Sequence, residues 1–188
     1  MKTAKIRNGR QAGMKITKRM VLIATICALS AVVLLVQGVA ADYTKTFSAQ
    51  TYVPYGNGLV RAWFYCKLQI RDVTKATVIS PSYSYTQWTG TSPQNLPNAI
   101  SMQDSWTWTG IAISISIPPG AGFSIAGNTV YWGPNTVYNP SVKYARHNFS
   151  GMSGTGLLVK FTETTTGTHL FGTTWVSAYA TNWVSIGW

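Results

Sequence analysis

LVRAWFYCKLQI, Leu59 to Ile70, alternates along its whole length. Val60, Ala62, Phe64, Cys66, Leu68 and Ile70 fall on one side of an extended chain, and Arg61, Trp63, Tyr65, Lys67 and Gln69 on the other. A period of two is that of a half-buried strand, so the even positions are assigned to a core and the odd positions to a face turned away from it. Cys66, between Phe64 and Leu68 on the apolar side, reads as a small buried hydrophobe and not as a nucleophile.

Further along, IAISISI (Ile111 to Ile117) repeats the pattern and ends at Pro118-Pro119-Gly120, which removes two backbone donors and supplies a turn residue. Trp106 and Trp108 precede it on even positions, opposite the isoleucines if the strand is regular. A bulge at Gly110 would shift the register by one and bring both tryptophans to the isoleucine side. The pattern permits both arrangements. Other strands are expected over 45–52, 76–85, 122–125, 129–132, 142–149, 157–164 and 170–180, divided by turn-rich stretches such as PYGNG, GTSPQNLPN and SGMSGTG. Many short strands between turn signals predict an all-β fold, an antiparallel β-sandwich of Ig-like or jelly-roll-like kind, with a small β-barrel as the alternative. In TTWVSAYATNWV (173–184) Trp175, Tyr179 and Trp183 recur at helical spacing, but the Thr and Val content favours a strand. NTVYWGPNTVYNP, Asn128 to Pro140, writes Asn-Thr-Val-Tyr twice. A two-residue hairpin over Pro134-Asn135 would need positive φ at the proline, so a corner between two short extended pieces is expected, closed by Pro140.

The first nineteen residues hold seven Lys and Arg and no acid, and an apolar run from Met20 to Val36 follows. This is the layout of an export signal, with the small residues Val39-Ala40-Ala41 offering a cleavage site after Ala41. An uncleaved signal anchor is the alternative, since seventeen apolar residues reach the lower limit for a bilayer span. The long basic flank has the style of a Gram-positive bacterial leader. The expected organisation is therefore a leader over 1–41 and one secreted, β-rich domain over 42–188.

All four acids lie beyond the leader, against eight of the fifteen cations, so the remainder carries +4 where the whole chain carries +11. Such a scattered, mild charge does not predict nucleic-acid binding, which calls for a clustered basic patch. It is compatible with anionic wall polymers or membrane surfaces. Every aromatic residue also lies beyond the leader, and Cys66 is the one cysteine there, so packing and not an internal disulfide must hold the domain.

Chemistry has a short supply list: Asp42, Asp72, Asp104, Glu163, His147, His169 and Cys66. No GxSxG, HExxH, P-loop or CxxC motif is present. Asp72, Asp104 and Glu163 could supply the two carboxylates of a glycosidase only if folding brought two of them together. His147, in KYARHNFSG, reads as a surface residue. No catalytic residue, metal site or cofactor is assigned, and a non-enzymatic protein is expected.

The more suggestive set is Arg61, Trp63, Tyr65 and Lys67. On an exposed face they would present two aromatic planes bracketed by two cations, suited to sugar rings with anionic substituents. Covered by a second sheet, they would be packing residues whose cations snorkel to the edge. Tyr131, Trp132 and Tyr138 form a second candidate group. The leading expectation is an extracellular or cell-surface protein that binds a glycan or cell-wall polymer. One alternative is a membrane-active β protein: a pore-forming toxin, a bacteriocin-like factor or an outer-membrane-type barrel. Its basis is the alternating Ile-Ser strand and the terminal Val184, Ile186, Trp188 alternation. A hydrolase with a carboxylate site is the second alternative.

Overall fold

A computed structural model describes residues 42–91, 96–119 and 122–186. The expected leader over 1–41, the expected cleavage after Ala41 and the terminal Trp188 lie outside the described residues. Nine strands follow in order: β1 (Tyr43–Tyr55), β2 (Gly58–Arg71), β3 (Lys75–Trp88), β4 (Ala99–Ser116), β5 (Phe123–Ala126), β6 (Thr129–Tyr138), β7 (Tyr144–Asn148), β8 (Ser153–Phe171) and β9 (Thr174–Ser185). All pairings are antiparallel, in the order β1-β2-β3-β8-β4-β6-β5, with β7 on β3 and β9 on β8.

β2 follows its alternation, with Val60, Ala62, Phe64, Cys66, Leu68 and Ile70 all at 0–1% exposure. The sheet as a whole forks. β3 lends Lys75–Thr77 to β8 and Tyr83–Gln87 to β7, while β8 is paired with β3 over Ser153–Thr155 and with β9 over Lys160–Phe171. One layer is therefore β7-β3-β2-β1 and the other β9-β8-β4-β6-β5. They face each other through rings: Phe47 of β1 meets Phe161 of β8 at 5.8 Å, and Trp88 of β3 meets Phe171 of β8 at 4.8 Å.

The architecture is the expected sandwich and not a closed barrel. β1 and β9 approach without a shared ladder and are joined by side chains. Tyr43 donates to the Ile186 carbonyl at 3.1 Å, Lys45 to that of Ser185 at 2.8 Å, and Asn182 to that of Ser48 at 2.8 Å.

Register breaks answer the questions that alternation left open. The β4–β8 ladder slips between Thr109 and Gly110 and again between Ile111 and Ser114. Trp106 and Trp108 are fully buried, and Ile113, Ile115 and Ile117 pack against the same core, so the bulged arrangement holds. Ile111, between the two slips, points out at 67% exposure. Residues 174–184 belong to β9, whose period-two outer row carries Trp175, Tyr179 and Trp183, so the strand reading of the 173–184 stretch holds.

Two expectations are corrected. Strands expected over 157–164 and 170–180 divide at Gly172-Thr173, because β8 runs unbroken through its threonines to Phe171. The corner expected in NTVYWGPNTVYNP is absent: β6 pairs with β4 from Thr129 to Tyr138, and Gly133-Pro134 form a bulge opposite Gln103. A bulge accommodates the proline because the extra residue needs no ladder donor.

The corner where β8 exchanges β3 for β9 is crowded. A Cβ on Gly110 would sit 2.0 Å from the Leu157 carbonyl oxygen, and one on Gly156 (φ +128°) would sit 2.5 Å from that of Ala112. Ala112 itself takes φ +52°, a conformation that penalises any Cβ. Gly110→Ala is thus expected to destabilise the domain by about 2–3 kcal/mol, as overpacking does. Ala112→Gly should stabilise it by about 0.5–1 kcal/mol, because relief of the left-handed strain exceeds the extra unfolded-state entropy. Urea unfolding of both variants checks the opposite signs.

Candidate functional site

The odd row of β2 is not covered by the second layer. It lies on the outer face of β7-β3-β2-β1, and its neighbours are the side chains that register brings beside it. Trp63 stands opposite Tyr85 and Tyr65 opposite Tyr83. Ring centroids are 4.1 Å apart in the first pair and 5.7 Å in the second. β7 extends the row: Tyr144 stacks on Tyr85 at 5.3 Å and 12°, and the Arg146 guanidinium lies 4.5 Å over the Tyr83 ring. Arg61, Trp63, Tyr65 and Lys67 are each half-buried, shielded by one another and by these partners.

The result is a platform of five rings with three cations, Arg61, Lys67 and Arg146. Asp42, the acid of this face, is held by Arg71 at 3.0 Å, six positions beyond Tyr65 along β2. That contact holds the Asp42 carboxyl below its ordinary range. The Tyr85 phenol is pushed up by partial burial and by Tyr144 beside it, so it remains a neutral donor. Tyr83, Tyr85, Tyr144 and Arg146 were not singled out from sequence. SYSY and KYAR do alternate, but which rows meet depends on register.

The second candidate group divides. Tyr131 and Tyr138 project from the outer face of the other layer, on the far side of the molecule from Trp63. Trp132 turns inward and stacks on His147 at 3.6 Å and 9°. The seven expected residues therefore make no single site. The face bearing Tyr131 and Tyr138 is paved with hydroxyls: Thr162, Thr164, Thr166 and Thr168 of β8 stand opposite Thr107, Ser105, Gln103 and Ser101 of β4. Cross-strand pairs close at 2.9 Å, Thr107 with Thr129, Thr136 with Ser101, Thr164 with Thr181, and Thr168 with Ser177.

Between the layers lies a polar cluster. His147, expected at the surface, is instead only 11% exposed at its side chain, because β7 turns it toward Asp104. Asp104 is fully buried and accepts three hydrogen bonds: from Ser84 at 2.6 Å, from Thr165 at 2.8 Å, and one shared with His147 Nδ1 at 2.7 Å. The carboxylate sits between the hydroxyl and the imidazole, whereas nucleophilic catalysis needs the imidazole between the other two. Ser84 is also fully buried.

Glu163 lies close enough to feel the Asp104 charge, so folding does bring two carboxylates together. Both are at 0% exposure, and neither Glu163 oxygen makes a hydrogen bond although Cys66 and Trp106 lie alongside. Burial, then Asp104, pushes Glu163 well above its ordinary range, which makes it a neutral acid. Burial, then Glu163, likewise pushes the Cys66 thiol up. A general acid or nucleophile must touch its substrate, and neither group reaches the surface. Asp72 lies apart, accepting the Thr74 amide at 2.6 Å in the β2–β3 turn. Among the described residues no three His, Cys, Asp or Glu side chains are placed to hold a metal ion.

Two buried groups oppose each other in pH. His169 is lowered to about 4 by burial, against an ordinary 6.5, so the unfolded chain takes up a proton that the fold refuses and stability declines as pH falls through that interval. Glu163 is raised, so its contribution is complete at acid pH and is lost as pH rises through its shifted value. Glu163→Gln, which cannot ionise, is expected to flatten the alkaline side alone. Against the parent, the variant should lose less stability between pH 5 and pH 9, because it carries no group that must ionise in the interior as pH rises. Thermal melts across pH measure it; a parallel shift at every pH would show that Glu163 does not titrate.

Comparison with protein-family models, with curated proteins and with solved structures finds no match for this chain.

Proposed function

We propose that residues from 42 onward form an exported, non-enzymatic binding domain whose β7-β3-β2-β1 face holds an anionic glycan, such as an acidic cell-wall polymer. The single observation that carries this reading is the ring platform Trp63–Tyr85–Tyr144 and Tyr65–Tyr83, flanked by Arg61, Lys67 and Arg146. Flat aromatic faces stack on the apolar faces of sugar rings, and guanidinium forks pair with carboxylate or phosphate substituents. The rings are already stacked on one another, so little side-chain freedom is lost on binding.

What supports an aqueous role over the membrane-inserted one is the placement of apolar groups. The fully buried apolar side chains fill the space between layers, while the outer faces carry hydroxyls and cations among isolated exposed rings such as Tyr138, Trp175, Tyr179 and Trp183; a transmembrane barrel needs a continuous apolar band outside and a polar interior.

Affinity electrophoresis of the 42–188 domain through gels containing polygalacturonate or polyglycerol phosphate tests the proposal. Retardation is expected with at least one polymer, and it should weaken as salt rises, because exposed cations are screened. Trp63→Ala combined with Tyr85→Ala is expected to lower the affinity at least tenfold, about 1.4 kcal/mol. No retardation by either polymer, or equal retardation of the double variant, would sink the assignment. Tighter binding of single-stranded poly(dT) would move the platform to nucleic acid, since bases stack on the same rings.

A further inference from the structure

We propose a second binding site, independent of the first: a groove on the outer face of β6-β4-β8-β9 that takes an uncharged glycan chain. The groove has a volume of about 350 Å3, within the range of small-ligand sites. Its floor includes Ser101, Gln103, Thr136 and Thr168, and Tyr138 and Trp175 are among its walls.

Register explains the walls. Tyr138 stands opposite Ala99, Ala99 opposite Leu170, and Leu170 opposite Trp175, so one row crosses four strands with a ring at either end. Three strand spacings separate the rings, roughly 14 Å. That is the reach of a short oligosaccharide and too far for a single sugar. Both rings are well exposed, Tyr138 at 69% and Trp175 at 48%.

The floor decides the chemistry of the occupant. Thr136 donates to Ser101, and Thr168 is paired with Ser177, each at 2.9 Å. A hydroxyl pair consumes one of its two protons, which leaves a donor and several lone pairs directed by the bond already made. Gln103 adds an amide, which both donates and accepts. Among the described residues no charged side chain lines the groove. Lys160, the charged residue of this face among the described ones, lies over Trp183 at the opposite end of the β8 row. An anionic ligand would give up its water here with no counter-charge to replace it, and an apolar partner would strand the hydroxyls. A neutral polyhydroxylated chain matches both floor and walls: its hydroxyls meet the Ser, Thr and Gln groups, and its ring faces stack on Tyr138 and Trp175.

If the anionic-glycan reading of the opposite face also holds, the domain would bridge two polymers; the groove itself does not depend on that reading. Titration calorimetry of the 42–188 domain with cellohexaose, chitohexaose and maltohexaose tests the groove. At least one hexamer should bind, and Tyr138→Ala and Trp175→Ala should each weaken it at least tenfold, with Trp63→Ala, Tyr85→Ala unchanged. Circular dichroism of the two groove variants confirms the fold, which their exposure leaves intact. Absence of binding to all three hexamers overturns the proposal, as does binding that the groove variants leave unaltered. Polygalacturonate binding that Trp175→Ala abolishes and Trp63→Ala, Tyr85→Ala leaves intact overturns the neutral assignment.

Discussion

β8 has two neighbours along most of its length, and one of them changes. β4 stays on one side from Ser153 almost to the end, while the other side passes from β3 to β9. The two layers of the sandwich exist because of this exchange. It requires the strands to bend sharply without losing their backbone bonds, which is the work of bulges. The extra residues fall where Gly110 and Gly156 let two backbones approach more closely than any side chain would allow. The outer row of β4 inherits its direction from that corner. Inward positions of β4 are even before it, as at Trp108, and odd after it, as at Ile113.

This constraint also marks what the sequence could reveal. β2 was legible because its alternation is unbroken and its two faces differ in kind, apolar against aromatic and cationic. β4 was legible only as two arrangements, since a parity change leaves both halves correctly patterned. β8 was split because FTETTTGTHL carries Thr on the outer row and Glu163, Thr165, Gly167 and His169 on the inner one, so no apolar face announces it. The repeated Asn-Thr-Val-Tyr looked like a corner because proline normally ends a strand, whereas here β6 absorbs it in a bulge. For the candidate face, half was visible. A strand displays its own outward row, but the rows of β3 and β7 that complete the platform become neighbours only through pairing at long range.

The inward polar residues of β8 have a structural logic of their own. Asp104 receives bonds from Ser84 of β3, His147 of β7 and Thr165 of β8, so one carboxylate ties both layers together. Hydrophobic packing is non-directional and tolerates sliding of one sheet over another, whereas three hydrogen bonds to one buried group do not. A satisfied network of this kind fixes the relative position of the layers. Glu163 is different: burial first, and the neighbouring Asp104 second, favour its neutral form, and no hydrogen bond offsets them.

The fate of the four acids then governs the surface. Asp104 and Glu163 are consumed in the interior, Asp42 by Arg71, and Asp72 by the amide of Thr74. None remains to neutralise Arg61, Lys67 or Arg146. The +4 of residues 42–188, which looked scattered along the sequence, is thus uneven in space, cationic on the ring platform and nearly absent from the hydroxyl face. Such asymmetry cannot arise from net charge, which says nothing of position. It arises because alternation assigns each residue to a face, and pairing decides which faces become continuous. On the two proposed readings, recognition is a property of rows that cross strands. On those readings, a substitution within a row should affect one ligand class and leave the other untouched, because the two rows lie on opposite outer faces with the core between them.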